Sequence, residues 1–341
     1  MTTIEFNNVY LQTTFTLVGP KEYQGPLKAY FHAHFDDIYF EQKTYEKAEM
    51  EMIRNTLINV LKNIRMKEKD IGAAFGGDLT NQIACTNHAM KEFNIPFVGV
   101  YGACSTSMLS LALASMYVEN YGDYALCFAA SHNSTSERQF RFPNEYGVQK
   151  KPTCTYTVTG CGAAIVGRKE TSIKVRNCTF GRVVDSYQSD VNDLGAAMAL
   201  SALDTLTKHL NNTGTKIKDY DLILTGDLSK EGSQILRSIA LYDNLHLDNN
   251  YNDCGLLIYD LEKQNVNAGG SGCGCCAVVT YGYVVDLLKT KKIKNALIIA
   301  TGALFSPTSF QQEKNIPTIA HAITLEANDL WFYFYHLLSV D

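Results

Sequence analysis

The stretch FVGVYGACSTS, residues 97–107, decides how this chain is read. An apolar, β-branched run ends at Val100. Gly102, Ala103 and Cys104 follow, and then a long run of small and apolar residues. This order predicts a buried strand, a tight turn and a helix that starts just after Cys104. A thiol at a helix N-terminus faces unpaired N–H groups and the positive end of the helix dipole, and both favour thiolate. Gly102 and Ala103 leave room beside the sulfur, and Ser105, Thr106 and Ser107 add hydroxyls. A small cysteine packed in the core is the plainer reading. The clustering of glycine and hydroxyls puts a pocket ahead of it.

Working outward, the chain repeats itself. IGAAFGGDLTNQ (residues 71–82) matches DLILTGDLSKEGS (221–233), and YALCFAASH (124–132) echoes NALIIATGA (295–303). A Gly/Cys/Ser cluster heads the helix before each of those later strands: GACSTS in the first half, GGSGCGCC (269–276) in the second. In the first half the apolar spacing predicts a helix over 44–65, strand 71–77, helix 80–93, strand 95–101, helix 104–121 and strand 123–130. In the second it predicts a helix near 195–211, strand 220–226, helix near 231–241, strand near 254–260, helix 271–288 and strand 294–301. TVTGCGAAIVG (157–167) reads as a glycine-rich strand that closes the first half. Strands alternating with helices, and apolar along their length, imply parallel-rich sheets layered between helices. The expected division is 1–170 and 171–341. Its pseudo-symmetry brings the starts of helices 104–121 and 271–288 together at the centre.

Bulk properties set limits. The 341 residues are 46% hydrophobic and 19% charged with a net charge of -5, as for a folded globular protein. Basic residues are dispersed, so a nucleic-acid face is not expected. Most of the ten cysteines have small or apolar neighbours, as for free thiols in a reducing compartment. Cys273 to Cys276 has CxxC spacing, but with no second ligand pair it reads as packing. GGSGCG lacks the Lys-Ser/Thr of a phosphate loop, which leaves a backbone-donor cradle at a helix start. The first residues lack a basic segment and a long apolar core, and no apolar run is long enough for a membrane span. A soluble protein, at most peripheral to a membrane, is expected.

The duplicated halves, with a cysteine at a helix start in the first, resemble the thiolase and ketoacyl-synthase superfamily. Within it the match is closer to the stage V sporulation protein AD family. It rests on GPKEYQGPL (19–27), GDLTNQ (77–82), GACSTSM (102–108), SHNSTSERQFRFPNEYG (131–147), YDLILTGDLS (220–229), NDCGLLIY (252–259), AGGSGCGC (268–275) and ATGALFSPT (300–308), in order over nearly the whole chain. The resemblance implies a thiolase-like α/β fold of two β-α-β-α-β halves. It implies binding of dipicolinic acid, free or as its calcium chelate, and support of its uptake into the developing spore. It further implies membrane-embedded partners from the same sporulation operon, a peripheral position at the spore inner membrane, no resident cofactor, and a possible homodimer. The aromatic run LWFYFYHLL (330–338) extends past the family's usual end; it reads equally as a partner or membrane contact and as a packed or frayed terminus.

Thiolases take their base from second-half histidines, one of which follows the Asn-Gly-Gly stretch. Here that stretch runs on through Ser271, Gly272 and Cys273, and the segment at 251–255 carries no histidine either. A pocket kept for binding is therefore expected, with Cys104 a lining residue rather than a nucleophile. Dipicolinate is a flat pyridine ring with two carboxylates, so its site needs donors at both ends. Two opposed helix starts supply N–H groups, and Arg138 and Arg141 supply charge. The expected lining is Cys104, Ser105, Ser131, His132, Asn133, Arg138, Thr159, Gly160, Asn267, Gly270 and Ser271. Plainer roles stand beside these: an ion pair of Arg138 with Glu137 or Glu145, a hydrogen-bonded core His132, a capping Asn133, and structural Asp78 and Asp227 at equivalent strand ends. If calcium enters with the ligand, Asp227 or Glu145 could supply an oxygen, but with no EF-hand spacing no protein calcium site is expected. The alternative is an acyl-CoA or acyl-thioester transferase or condensing enzyme using Cys104 with His132 or His321. A scaffold that only docks membrane partners is the third reading.

Overall fold

Each half contributes five strands to the main path of one 13-stranded sheet, and it does so in the same spatial order. In the first half the order is Phe97–Gly99, Ala73–Gly77, Tyr124–Ser131, Gly160–Gly167, Tyr10–Val18. In the second it is Tyr251–Asp253, Leu222–Thr225, Asn295–Ala303, Pro317–Ala327, Ile173–Phe180. The first three strands of each set are parallel and the last two antiparallel. The sets meet through the pair Tyr10 and Lys174. The computed structural model describes residues 2–140, 147 and 149–328; Arg141, Glu145 and residues 330–338 lie outside these.

The layers follow from the sequence pattern. Helix Tyr45–Asn63, capped by the Thr44 hydroxyl, turns Met52, Ile53, Leu57 and Val60 onto the inner strands of the first half. Helix Leu194–Thr213, capped by Asp193, covers the matching strands of the second. Between them lie helices Thr106–Asn120 and Cys273–Val278, packed on each other and on strands of the first half. The second is apolar or small all round, and so is the first as far as Val118, as buried helical stretches must be. Close approach depends on the small residues: a Cβ on Gly162 would stand 2.7 Å from the Ala277 backbone. Among the described residues no helix is long and apolar enough to cross a membrane.

The thiolase-like α/β expectation holds, with local corrections. The inner antiparallel strands Tyr10–Val18, Ile173–Phe180 and Pro317–Ala327 were not foreseen. The strand expected near 254–260 is instead Tyr251–Asp253, followed by the one-turn helix Cys254–Leu257. Asp253 ends the strand by accepting the N–H groups of Leu228, Ser229 and Gly255. Left-handed Gln82 and Ile83 (φ 54° and 48°) interrupt the helix expected over 80–93, which runs only from Ala84 to Met90. The helix expected over 271–288 starts at Cys273 and widens to a π-helical turn over Val279–Val284. Strand Phe97–Gly99 is an edge, and Val98 is 47% exposed rather than buried on both faces.

Candidate functional site

Ala103 adopts a left-handed conformation (φ 50°) and turns the chain into the helix, which leaves Cys104 at the bend. Nine of the ten cysteines are buried; Cys104 alone is half-buried, because it faces a cavity between the halves. The first half supplies Leu79, Tyr101, Cys104, Ser136 and Phe140 to its wall, and the second supplies Met198, Asp227, Ser271 and Phe305. The Phe140 and Phe305 rings meet with centroids 5.5 Å apart, one from each half. The remaining space is about 40 Å³, room for only a few waters at about 10–15 Å³ each.

The electrostatics reverse the thiolate expectation. Asp227 accepts the Gly272 N–H at 2.9 Å and the Thr301 hydroxyl at 2.8 Å, and its carboxyl reaches the Cys104 thiol. Burial pushes that carboxyl up to about 7. Burial, and then the neighbouring Asp227 charge, hold the Cys104 thiol well above its ordinary range. The helix start cannot offset this. The Ser105 and Thr106 N–H groups are spent on the Gly102 and Ala103 carbonyls at 3.1 and 3.2 Å. The second helix start is equally occupied: Gly274 N–H donates to Ser131 Oγ and Cys275 N–H to Gly272 O. The two starts do come together as expected, but they do not offer the free donors that were expected of them.

Of the eleven residues expected to line the pocket, Cys104 and Ser271 do. The others do not line this cavity, and each has a physical reason. The Ser105 hydroxyl donates to Gly102 O at 2.6 Å and the Ser131 hydroxyl to Val158 O at 2.7 Å, both fully buried. His132 is a core histidine: its Nε2 bonds Ile38 O at 2.7 Å and its Nδ1 accepts the Ser134 N–H. Burial lowers its pKa to about 4. Asn133 and Thr159 bond each other, and Thr159 N–H also donates to buried Glu22. Arg138 forms the ion pair of its plainer reading, but with Glu46 at 2.9 Å, away from the cavity. Gly160 opens the strand Gly160–Gly167 against Val278, and Gly270 pairs with Tyr156. Asn267 is an exposed left-handed turn residue (φ 53°).

Among the described residues neither histidine of the enzyme alternative lines the cavity that Cys104 faces. His321 accepts the Gly181 N–H through Nδ1 at 3.2 Å, packs on Phe180, and is lowered by burial to about 4. Cys273, Cys275 and Cys276 pack the central helix, and Cys273 Sγ bonds Ala130 O. The sequence reading gave Asp227 a structural role, with its oxygen open to a calcium that enters with the ligand, and missed Ser136, Phe140, Phe305 and Tyr101 as cavity groups. Asp227 was visible as the twin of Asp78, but no spacing says which twin faces the cavity.

Three comparisons bear on this arrangement. Residues 1–326 match the family model of stage V sporulation protein AD (SpoVAD). The chain is 42% identical to stage V sporulation protein AD of Bacillus subtilis (strain 168) over 319 residues, covering 93% of this chain and 94% of that one. In solved structures it is similar to OleA of Xanthomonas campestris (TM-score 0.58, 12% identity, 95% of this chain and 99% of that one). It is also similar to 3-oxoacyl-[acyl-carrier-protein] synthase III from Aquifex aeolicus VF5 (TM-score 0.54, 14% identity, 96% and 100%). The solved structures share the thiolase-like fold. The chain itself belongs to the stage V sporulation protein AD family.

Proposed function

We propose that this sporulation protein binds dipicolinic acid in the cavity at Cys104 and supports its uptake into the developing spore without turning it over. One observation supports the non-catalytic part: Cys104 faces the cavity with its thiol held well above the ordinary range beside a carboxyl, and among the described residues no histidine lines the cavity. Family membership supports the ligand. Phe140 and Phe305 meet on the cavity wall, which also includes the exposed Tyr101.

Charge favours one form of the ligand. Among the described residues the wall carries Asp227 and no lysine, arginine or histidine. A bare dicarboxylate would enter a low-dielectric cavity without a countercharge, at a high desolvation cost. The calcium chelate is charge-neutral and brings a cation toward Asp227, so the chelate is the preferred ligand. No resident cofactor is needed.

The partners in this reading are membrane-embedded proteins of the same operon, which hold the chain at the spore inner membrane. A second copy pairs along the open edge Phe97–Gly99, where Val98 and Tyr101 are exposed beside the cavity mouth. Equilibrium dialysis of the full chain tests the ligand. Retention of the 2,6-dicarboxylate over its 2,4-isomer supports the reading, and equal retention contradicts it. Intact mass after incubation with an acyl-CoA should show no adduct; an acyl group on Cys104 would restore the enzyme alternative.

A further inference from the structure

A notch on the surface, apart from the Cys104 cavity, carries unused charge. It lies between residues 29–32 and the helical stretch 281–289 and encloses about 230 Å³. Tyr281 and Gly282 of the π-helical turn Val279–Val284, with Val285, Asp286 and Lys289 of the α-helix that follows it, form its helical wall, and π turns often mark functional sites. The turn is fixed in place: the Thr14 hydroxyl donates to Tyr281 O at 2.9 Å. Gly282 lets the opposite wall come close, since a Cβ there would stand 2.8 Å from Tyr30 O.

Three polar side chains line the notch. His32 Nδ1 accepts the backbone N–H of Thr16 at 3.2 Å. A backbone N–H can only donate, so Nδ1 carries the lone pair and neutral His32 presents Nε2–H as a donor. The ring is held against Phe15, with centroids 5.2 Å apart. The Lys289 charge is close enough to help burial lower the His32 pKa. Among the described residues Lys289 has no hydrogen-bond acceptor and no ion pair within 4.0 Å, and neither does the Asp286 carboxylate one turn earlier. One cation, one anion and one fixed donor thus line the same hollow; Asp286 attracts the Lys289 charge, but no hydrogen bond joins the two among the described residues.

We infer that this notch binds a small zwitterion of the amino-acid type, its carboxylate held between Lys289 Nζ and His32 Nε2–H and its ammonium beside Asp286. A simple anion would face Asp286 and a simple cation would face Lys289. Only a molecule carrying both charges satisfies both groups. Tyr30 offers apolar surface for a small side chain.

The test follows the His32 ring signals of the 15N-labelled full chain by NMR during titration with L-alanine, acetate or methylammonium. L-alanine should shift them saturably, and the two single-charge probes should bind at least tenfold more weakly. Lys289→Gln and Asp286→Asn, both on the surface, should each weaken L-alanine at least tenfold. The inference is overturned if no saturable shift appears up to about 100 mM, a range that reaches very weak sites. Acetate binding as well as L-alanine, or unchanged binding in both variants, overturns it too. None of these outcomes bears on dipicolinate binding at Cys104.

Discussion

Asp78 and Asp227 stand at the same place in the repeat, each after a glycine that follows a parallel strand, and they do different work. Asp78 stays within its own loop, accepting the N–H groups of Thr80 and Thr86 at 2.6 and 2.7 Å and the Thr80 hydroxyl. Asp227 leaves its loop, ties Gly272 and Thr301, and meets Cys104 from the other half. In the second half the loop is held by Asp253 instead, through Leu228, Ser229, Gly255 and Thr225. A duplicated scaffold has thus moved its loop-holding carboxylate by one strand, and this releases the other to the cavity.

The largest expected effect separates the loop-holders from the cavity group. Asp78→Ala and Asp253→Ala each strand at least two buried N–H donors at about 1–3 kcal/mol apiece. Each should lose roughly 3 kcal/mol or more in urea unfolding. Asp227→Asn keeps an acceptor and should lose distinctly less; an equal loss would erase the division of labour.

The edges offer a second contrast. Phe97–Gly99 is open, whereas Tyr251 of the matching edge is buried under the Arg237 guanidinium, 4.6 Å from its ring. Val98→Lys should convert a dimer to monomer in sedimentation, and Asn252→Lys should leave the oligomeric state unchanged. If both or neither change it, the open edge is not the contact.

A smaller effect concerns pH. Asp227 titrates near 3.8 unfolded and about 7 folded, so the native state holds the extra proton between those values. Its contribution therefore favours the fold at low pH and is lost as pH rises through about 7, by at most about 4 kcal/mol. The histidines lowered to about 4, including His132 and His321, have the opposite slope, so the informative quantity is a difference. The melting temperature of the wild type minus that of Asp227→Asn should fall between pH 5 and pH 8. A flat difference would mean Asp227 is ionised throughout. The smallest change is Cys104→Ala, which removes one half-buried sulfur and should cost about 1 kcal/mol or less in stability.

Much of the fold was legible in the sequence because the buried parallel strands are near-continuous apolar runs and their order recurs. The inner antiparallel strands were not, since Tyr10–Val18 and Pro317–Ala327 carry threonines and no short turn announces them. The cavity was legible at Cys104 and Ser271, where small residues cluster at helix starts. Four of the other expected residues lie off this cavity for a shared reason. Ser105, Ser131, His132 and Asn133 are donors by residue type, but the fold spends them on its own carbonyls, hydroxyls and neighbouring loops. Local sequence shows which groups can donate; it does not show which remain free after packing. Phe140 and Phe305 meet only through tertiary contact across the two halves.

The central claim is that the cavity at Cys104 and Asp227 binds dipicolinate as its calcium chelate without turnover. Calorimetric titration of the full chain with dipicolinic acid, with and without calcium, tests it most directly when run on the wild type and on Asp227→Asn. The account predicts saturable binding that is tighter with calcium, and a calcium preference that disappears in Asp227→Asn. Saturable binding with no calcium preference in either protein would contradict the assignment of the chelate to Asp227, and no binding in either condition would contradict the proposed function itself.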